Sequence, residues 1–300
     1  MALSKHAALL WLTLLLGAAV EPAQAQVVLP APVDAVRKQL REGNIEQAIE
    51  AGESAVDTLK QDAHAWFWLG RAYAQQAMRA GLLSKPKWAG KTREAYEQAV
   101  ALDPTHMDAR FDLMQYYVMA PGFLGGDADK AQAQAVALRQ QDPMMGKLAE
   151  AVLAQHDDRP ADAERAYRDA LALAPDHPRA RVSLASFLQQ EPPRWEEVEA
   201  IWQQALAKNP DDLLAHYQLA RAAALTGRGL DAGLAHIDRY IADPDFTSEY
   251  TSLAAAHWRR GLILEKLGRR DDALAAYDEA VKLQPTLTGA QEDLERLRDD

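Results

Sequence analysis

Residues 66–73 read Trp66-Phe67-Trp68-Leu69-Gly70-Arg71-Ala72-Tyr73. An aromatic, a leucine, a glycine and a second aromatic at this spacing share one side of a helix. A glycine at that place lets a second helix cross closely, where a larger side chain would push the two apart. Tyr73, and Tyr96 in the next apolar stretch, are rings of the size that fills the gap beside such a small residue. The layout recurs along the chain. Gly261, Leu264, Gly268, Ala273, Tyr277, Ala280 and Pro285 repeat it, as do Ala163, Tyr167, Ala170 and Pro175. Trp202, Ala205 and Pro210, and Leu219, Ala220, Gly227 and Ala232, keep the same register. Prolines at 104, 143, 175, 210, 244 and 285 each close an apolar helical stretch (AVALDP, ALRQQDP, ALALAP, ALAKNP, RYIADP, AVKLQP), with gaps of 39, 32, 35, 34 and 41 residues. Proline cannot continue a helix and holds the preceding residue extended, so these positions act as unit boundaries.

A period near 34 with W-x2-L-G-x2-Y is the signature of the tetratricopeptide repeat. The chain resembles that family, in its bacterial exported form. The resemblance implies an all-α solenoid of about seven helix-turn-helix units at 32–62, 63–104, 105–143, 144–175, 178–210, 212–244 and 252–285. A repeat region over 32–287 would be followed by a capping helix over 288–300, with Ala290, Leu294 and Leu297 on its one apolar face. Gly43, Gly227 and Gly268 fall at the tight turns between helices. No single unit can bury its apolar stripe, so stability must come from stacking neighbours.

Composition agrees with a folded helical chain: 48% hydrophobic, 26% charged and 7% aromatic residues. The net charge of −11 argues against nucleic-acid phosphates and anionic membrane surfaces as partners. Lys5 precedes an uncharged apolar run over 7–19 that is too short to span a bilayer, and Ala23-Gln24-Ala25 offers a small-x-small cleavage pattern. We read 1–25 as a signal peptide cut between Ala25 and Gln26, with 26–31 a short linker. Export to a bacterial periplasm or beyond is the expectation, and no later stretch is apolar enough to span a membrane. The absence of cysteine suits an oxidising compartment and removes thiolate nucleophiles and cysteine-based metal sites.

Two units carry extra residues. The stretch 78–91 reads as an enlarged turn, and 119–129 as a turn about four residues longer than normal. Stacking in register would place both on one edge, exposing Leu82, Leu83, Trp88, Phe123 and Leu124 near one another. Two readings stay open: the inserts patch each other locally, or they form a partner-docking lobe. Gly90-Lys91-Thr92 lacks the earlier glycine and the strand of a phosphate loop, and the glycines at 122, 125 and 126 lack the dinucleotide spacing.

The resemblance further implies that the first helices of successive units line a concave channel for peptides or helices. The family's channel-facing positions map onto His64, Phe67, Arg71, Asp112, Tyr116, Arg179, Tyr217, Arg221, Trp258 and Glu265. Aromatics and arginines are the types enriched at binding hot spots. The lysine–asparagine set of the family's carboxylate-gripping members is not present, so that ligand is not assigned.

Nothing points to catalysis. None of the eight histidines lies at a metal-binding i, i+4 spacing, although His216 and His236 fall in the two helices of one unit and could meet. No G-x-S-x-G occurs. Acidic pairs such as Asp157-Asp158, Asp211-Asp212 and Asp271-Asp272 sit where they cap helices. No catalytic, cofactor-binding or metal-binding residue is expected. The expected function is an exported, non-catalytic adaptor binding a protein or peptide. A structural subunit of a secretion, pilus or outer-membrane assembly is the alternative, and an enzyme acting on the cell wall a remote one.

Overall fold

The computed structural model describes residues 29–190, 192–243 and 251–299. The proposed leader and its cut site at Ala23, Ala25 and Gln26 lie outside these residues, as does Pro244. The described residues form fifteen α-helices. They run α1 (Ala31–Glu42), α2 (Ile45–Thr58), α3 (Ala63–Arg79), α4 (Lys85–Leu102), α5 (Met107–Met119), α6 (Ala128–Gln141), α7 (Pro143–His156) and α8 (Pro160–Leu173). They continue with α9 (Pro178–Leu188), α10 (Trp195–Lys208), α11 (Leu213–Thr226), α12 (Leu230–Ile241), α13 (Leu253–Lys266), α14 (Arg270–Leu283) and α15 (Thr288–Asp299). A single 3-10 turn spans Gly122–Leu124.

The starts and stops follow from local chemistry. Asp62 accepts from the backbone N–H of His64 and Ala65 at 2.8 and 3.1 Å, capping α3, and Asp212 accepts from Ala215 N at 3.0 Å on α11. Prolines open α7, α8 and α9, where a missing N–H costs nothing. Gly227 ends α11 at φ 74°, a left-handed conformation that opposes a side chain.

Helices pair as antiparallel hairpins and the hairpins stack, giving a solenoid. The core is a row of joined apolar clusters, from Val33, Leu40 and Ile49 at one end to Tyr277, Leu294 and Leu297 at the other. The glycine–ring crossing is built as the spacing requires. A Cβ on Gly70 would sit 2.6 Å from the Tyr96 ring, and one on Gly261 would overlap the Tyr277 ring.

The stack curls far enough to meet itself. Gln284, just past α14, lies over Gly43 at the end of α1 closely enough that a Cβ on Gly43 would overlap its amide. The first and seventh hairpins are therefore in contact along a seam.

The insert at 78–91 requires a correction. It is not an enlarged turn: α3 runs 17 residues and α4 runs 18, and only 80–84 lie between them. Met78 and Arg79 prolong α3, and Pro86 sits in the first turn of α4, where it starts a helix rather than ending one.

Candidate functional site, an arginine-lined channel

The inner wall carries two adjoining recesses that share Arg71 and Gln75 of α3. The larger, about 570 Å³, lies between α3, α4, α5 and α9, walled by Met78, Tyr96, Tyr116, Met119, Leu124 and Arg179 among others. Met78 and Met119 are each 79% exposed at its rim. The Arg71 guanidinium lies 5.1 Å from the Trp68 ring centroid and 3.9 Å from an Asp112 oxygen. Arg179 reaches over from α9 past α7 to α5, donating to Asp108 Oδ1 at 2.7 Å and to Asp112 Oδ1 at 3.4 Å. Asp112 thus stands between two arginines and fixes both, which holds the second, third and fifth hairpins in register. The Tyr116 hydroxyl donates to the Leu124 carbonyl at 2.6 Å, tying the second insert to the recess floor.

The smaller recess, about 260 Å³, lies on the seam and is lined from α1, α3, α11, α13 and the end of α14. Arg37, Arg41, Arg71 and Arg79 point to it, with Trp68, Tyr217, Ser252 and Gln284. None of its described lining residues is acidic.

A third feature of the wall is a repeated register. Arg296 in α15 donates to both Glu265 oxygens at 2.7 and 2.9 Å. At the matching place two hairpins earlier, Arg221 in α11 donates to Gln189 at 2.6 Å. The first pairing cancels the cation; the second leaves it standing. Burial and then the nearby Arg259 depress the Arg221 pKa, and Arg259 itself lies 4.1 Å from the Trp258 ring centroid.

Among the ten residues assigned to the channel, the structure brings Arg71, Asp112, Tyr116 and Arg179 together around the larger recess. Phe67 is corrected to a core residue: it is 3% exposed and packs on Tyr96 and His106, because its helix position faces the next hairpin. Tyr217 is also largely buried, stacked on Tyr240, and only its edge reaches the seam. His64 contacts His106 through ring nitrogens at 3.0 Å. Trp258 donates from Nε1 to Asp293 at 2.8 Å, and Glu265 accepts from Tyr277 as well as Arg296, so both serve the joint with the cap helix. Of the insert residues, Leu82, Leu83 and Phe123 are 90%, 101% and 84% exposed. Trp88 and Leu124 are corrected to half-buried: Trp88 stacks on Tyr73, and Leu124 turns into the recess. Arg37, Arg41, Arg79 and Gln284 were not singled out from the sequence. The three arginines are brought together by the packing of α1 against α3, and Gln284 joins them only because the solenoid closes on itself.

Comparison with known proteins settles the family. Family models described as "Tetratricopeptide repeat" match residues 33–77, 194–245 and 254–287. The chain is a tetratricopeptide-repeat protein. Its repeats make it an all-α solenoid of the protein-interaction scaffold type. Among solved structures, yeast Tom70 is similar at 14% identity with a TM-score of 0.53, over 86% of this chain. This tetratricopeptide chain spans 52% of the Tom70 chain, and at that identity the likeness concerns the fold alone. A tetratricopeptide repeat protein from Parabacteroides merdae ATCC 43184 aligns over 89% of this chain and 97% of its own, at 16% identity and a TM-score of 0.48. No curated protein matches the sequence. Among the described residues no helix is long and apolar enough to cross a membrane.

Proposed function

We propose that this chain is an exported, non-catalytic adaptor that holds a protein or peptide segment against its inner wall. The observation that carries the reading is the pair of adjoining recesses. They combine exposed methionines, half-buried aromatics and arginines in one concave surface, the mixture that favours polypeptide ligands. The leader-like stretch over 1–25 supports export, and a bacterial periplasm fits a cysteine-free chain.

The test is site-specific photo-crosslinking in cells. A photoreactive residue at Met78 or Met119 should give discrete protein adducts, whereas one at Arg165, exposed on α8, should not. Equal adducts from all three positions, or none from the recess, would overturn the reading. Fusion of residues 1–30 to a reporter tests export, which fails if the reporter stays in the cytoplasm.

A second reading is a structural subunit of an envelope assembly. It is favoured by Leu82, Leu83 and Phe123, which stand exposed on the edge carrying both inserts. In that case Leu82→Ser with Leu83→Ser abolishes stoichiometric co-purification of a partner while the recess crosslinks persist.

A further inference from the structure

The most exposed large hydrophobic side chains among the described residues all belong to the two inserts: Leu83, Leu82, Phe123, Met78 and Met119. Met78 and Met119 face the larger recess, with Lys85 and Leu124 beside them, so the two turns lie side by side. Arg93 of α4 packs against Gly125 closely enough to leave no room for a Cβ, a second tie between them. Leu82, Leu83 and Phe123 line neither recess of the inner wall and stand clear of the body. They are held there by the backbone. The Gly81 carbonyl accepts from Ser84 N at 3.0 Å and from Lys85 N at 2.9 Å, which closes the turn beneath Leu82 and Leu83. Leu124 N donates to the Pro121 carbonyl at 2.8 Å and Gly125 N to the Gly122 carbonyl at 2.9 Å, which keeps Phe123 outward while Leu124 turns inward.

Cations flank this tip. Residues 79–93 include Arg79, Lys85, Lys87, Lys91 and Arg93 and no carboxylate, and residues 113–126 carry no charge. Lys91 is held by Glu53 at 3.0 Å, and Arg93 lies 3.7 Å from both Glu94 and Glu97. Lys85 and Lys87, next to the leucines, hold no ion pair among the described residues, and the Lys87 ammonium lies 5.1 Å from the Trp88 ring centroid. Glu53 and Glu97 are further engaged by the hydroxyls of Tyr73 at 2.7 Å and Tyr117 at 2.8 Å.

A protein contact is built on pockets that anchor side chains fill, whereas a bilayer receives a protruding apolar tip without any. Lysines beside such a tip meet lipid phosphates, and a half-buried tryptophan next to them suits the headgroup layer. With a screening length of about 10 Å, the lipid meets this local charge and not the −11 of the whole chain. We propose that the two inserts form a membrane-docking tip for an anionic bilayer, with Leu82, Leu83 and Phe123 entering the acyl boundary and Lys85 and Lys87 on the headgroup phosphates. The solenoid then stands on the edge that carries these turns, and the inner wall stays open to a ligand. Docking of this kind depends neither on the adaptor reading nor on export.

The test is vesicle co-sedimentation of the chain from Gln26 onward, so that the apolar run over 7–19 cannot contribute. Binding to phosphatidylethanolamine vesicles with about 30% phosphatidylglycerol should exceed that to phosphatidylcholine vesicles at least about tenfold, and the difference should shrink as sodium chloride rises from about 50 to about 300 mM. Lys85→Gln with Lys87→Gln should remove most of the preference, and Leu82→Ser with Leu83→Ser should weaken binding at least about tenfold. All four side chains are exposed, and an unaltered helical circular dichroism spectrum checks the fold. Because the chain has no cysteine, Leu83→Cys or Phe123→Cys can carry an environment-sensitive dye at one place only. Its emission should shift to the blue on the anionic vesicles, and that of a dye at Arg165→Cys on α8 should not. Absence of vesicle binding, binding that survives both double substitutions, or equal shifts at all three labelled positions overturns the proposal. So does a tip that ignores vesicles yet loses a co-purifying protein when the leucines are replaced, a result that returns the lobe to the assembly-subunit reading above.

Discussion

The ring of Tyr277 in α14 packs against Gly261 in α13, filling the space a Cβ would need. Tyr96 and Gly70 stand in the same relation in the second hairpin. Gly261→Ala should therefore cost about 1–3 kcal/mol, because the ring is fully buried and cannot move aside. Gly90→Ala in α4, where a Cβ meets nothing within 4 Å, should stabilise by about 0.5–1 kcal/mol. Urea unfolding of the two variants checks both signs. Like signs would mean that the crossing is looser than described.

Two histidine pairs make stability depend on pH. His106 meets His64 at 3.0 Å, and His236 meets His216 at 2.8 Å. Burial first, and then the facing histidine, lower the pKa of His106 and of His236 below the ordinary 6.5. The unfolded chain thus takes up protons at a pH where the folded chain resists them. Stability is full above about pH 6.5 and falls as pH drops toward the lowered folded values. Melting temperature should decline from pH 7.5 to pH 5, and His106→Asn with His236→Gln should flatten the decline. Asn is chosen at 106 because that side chain also caps α5 through Ala109 N. A profile unchanged by both substitutions would assign the pH response elsewhere.

The Gln189–Arg221 and Glu265–Arg296 pairings invite a reciprocal exchange. Gln189→Glu gives Arg221 a carboxylate and should stabilise by up to about 1 kcal/mol. Glu265→Gln should destabilise by a similar amount, softened because an amide oxygen can still accept from Tyr277. Both effects should shrink in 1 M salt. Guanidine would mask them, so urea is the denaturant. If both exchanges shift stability the same way, the charge argument for the inner wall is wrong.

The seam can be opened by one residue. Gly43 combines φ 77° with the overlying Gln284 amide, so Gly43→Val meets both backbone strain and a clash. Small-angle scattering should show a larger radius of gyration for Gly43→Val, with the helical content of α3–α14 retained. An unchanged radius would show that the seam is not set by this contact.

The hairpin crossings were legible because they are local. Gly70 with Tyr96, and Gly261 with Tyr277, recur at a fixed offset, and prolines fall at helix ends for reasons one residue can supply. Register across hairpins was partly legible: Arg71, Asp112 and Arg179 were all assigned to the wall. Their mutual arrangement, with Arg179 passing over α7, depends on curvature that accumulates from small rotations and leaves no mark in any one unit. Phe67 was misplaced for a related reason, since its position faces both the channel and the next hairpin, and only the packing of His106 decides. The stretch 78–91 was misjudged because Pro86 reads as a break, yet a proline in the first turn is a helix start. Arg41 and Gln284 belong to opposite ends of the chain, and no periodicity connects them.

Open solenoids fray from their termini, since an outermost unit has a neighbour on one side only. In this chain Gln284 resting on Gly43 gives the first hairpin a second neighbour and braces the last one beyond its contact with α15. A stack with nearest-neighbour coupling becomes, in effect, a ring without ends, and its weakest points brace one another. Unfolding should then lose its gradual, end-inward character and gain cooperativity. Amide exchange in α1 and α14 should slow together when the seam is closed and quicken together when it is broken.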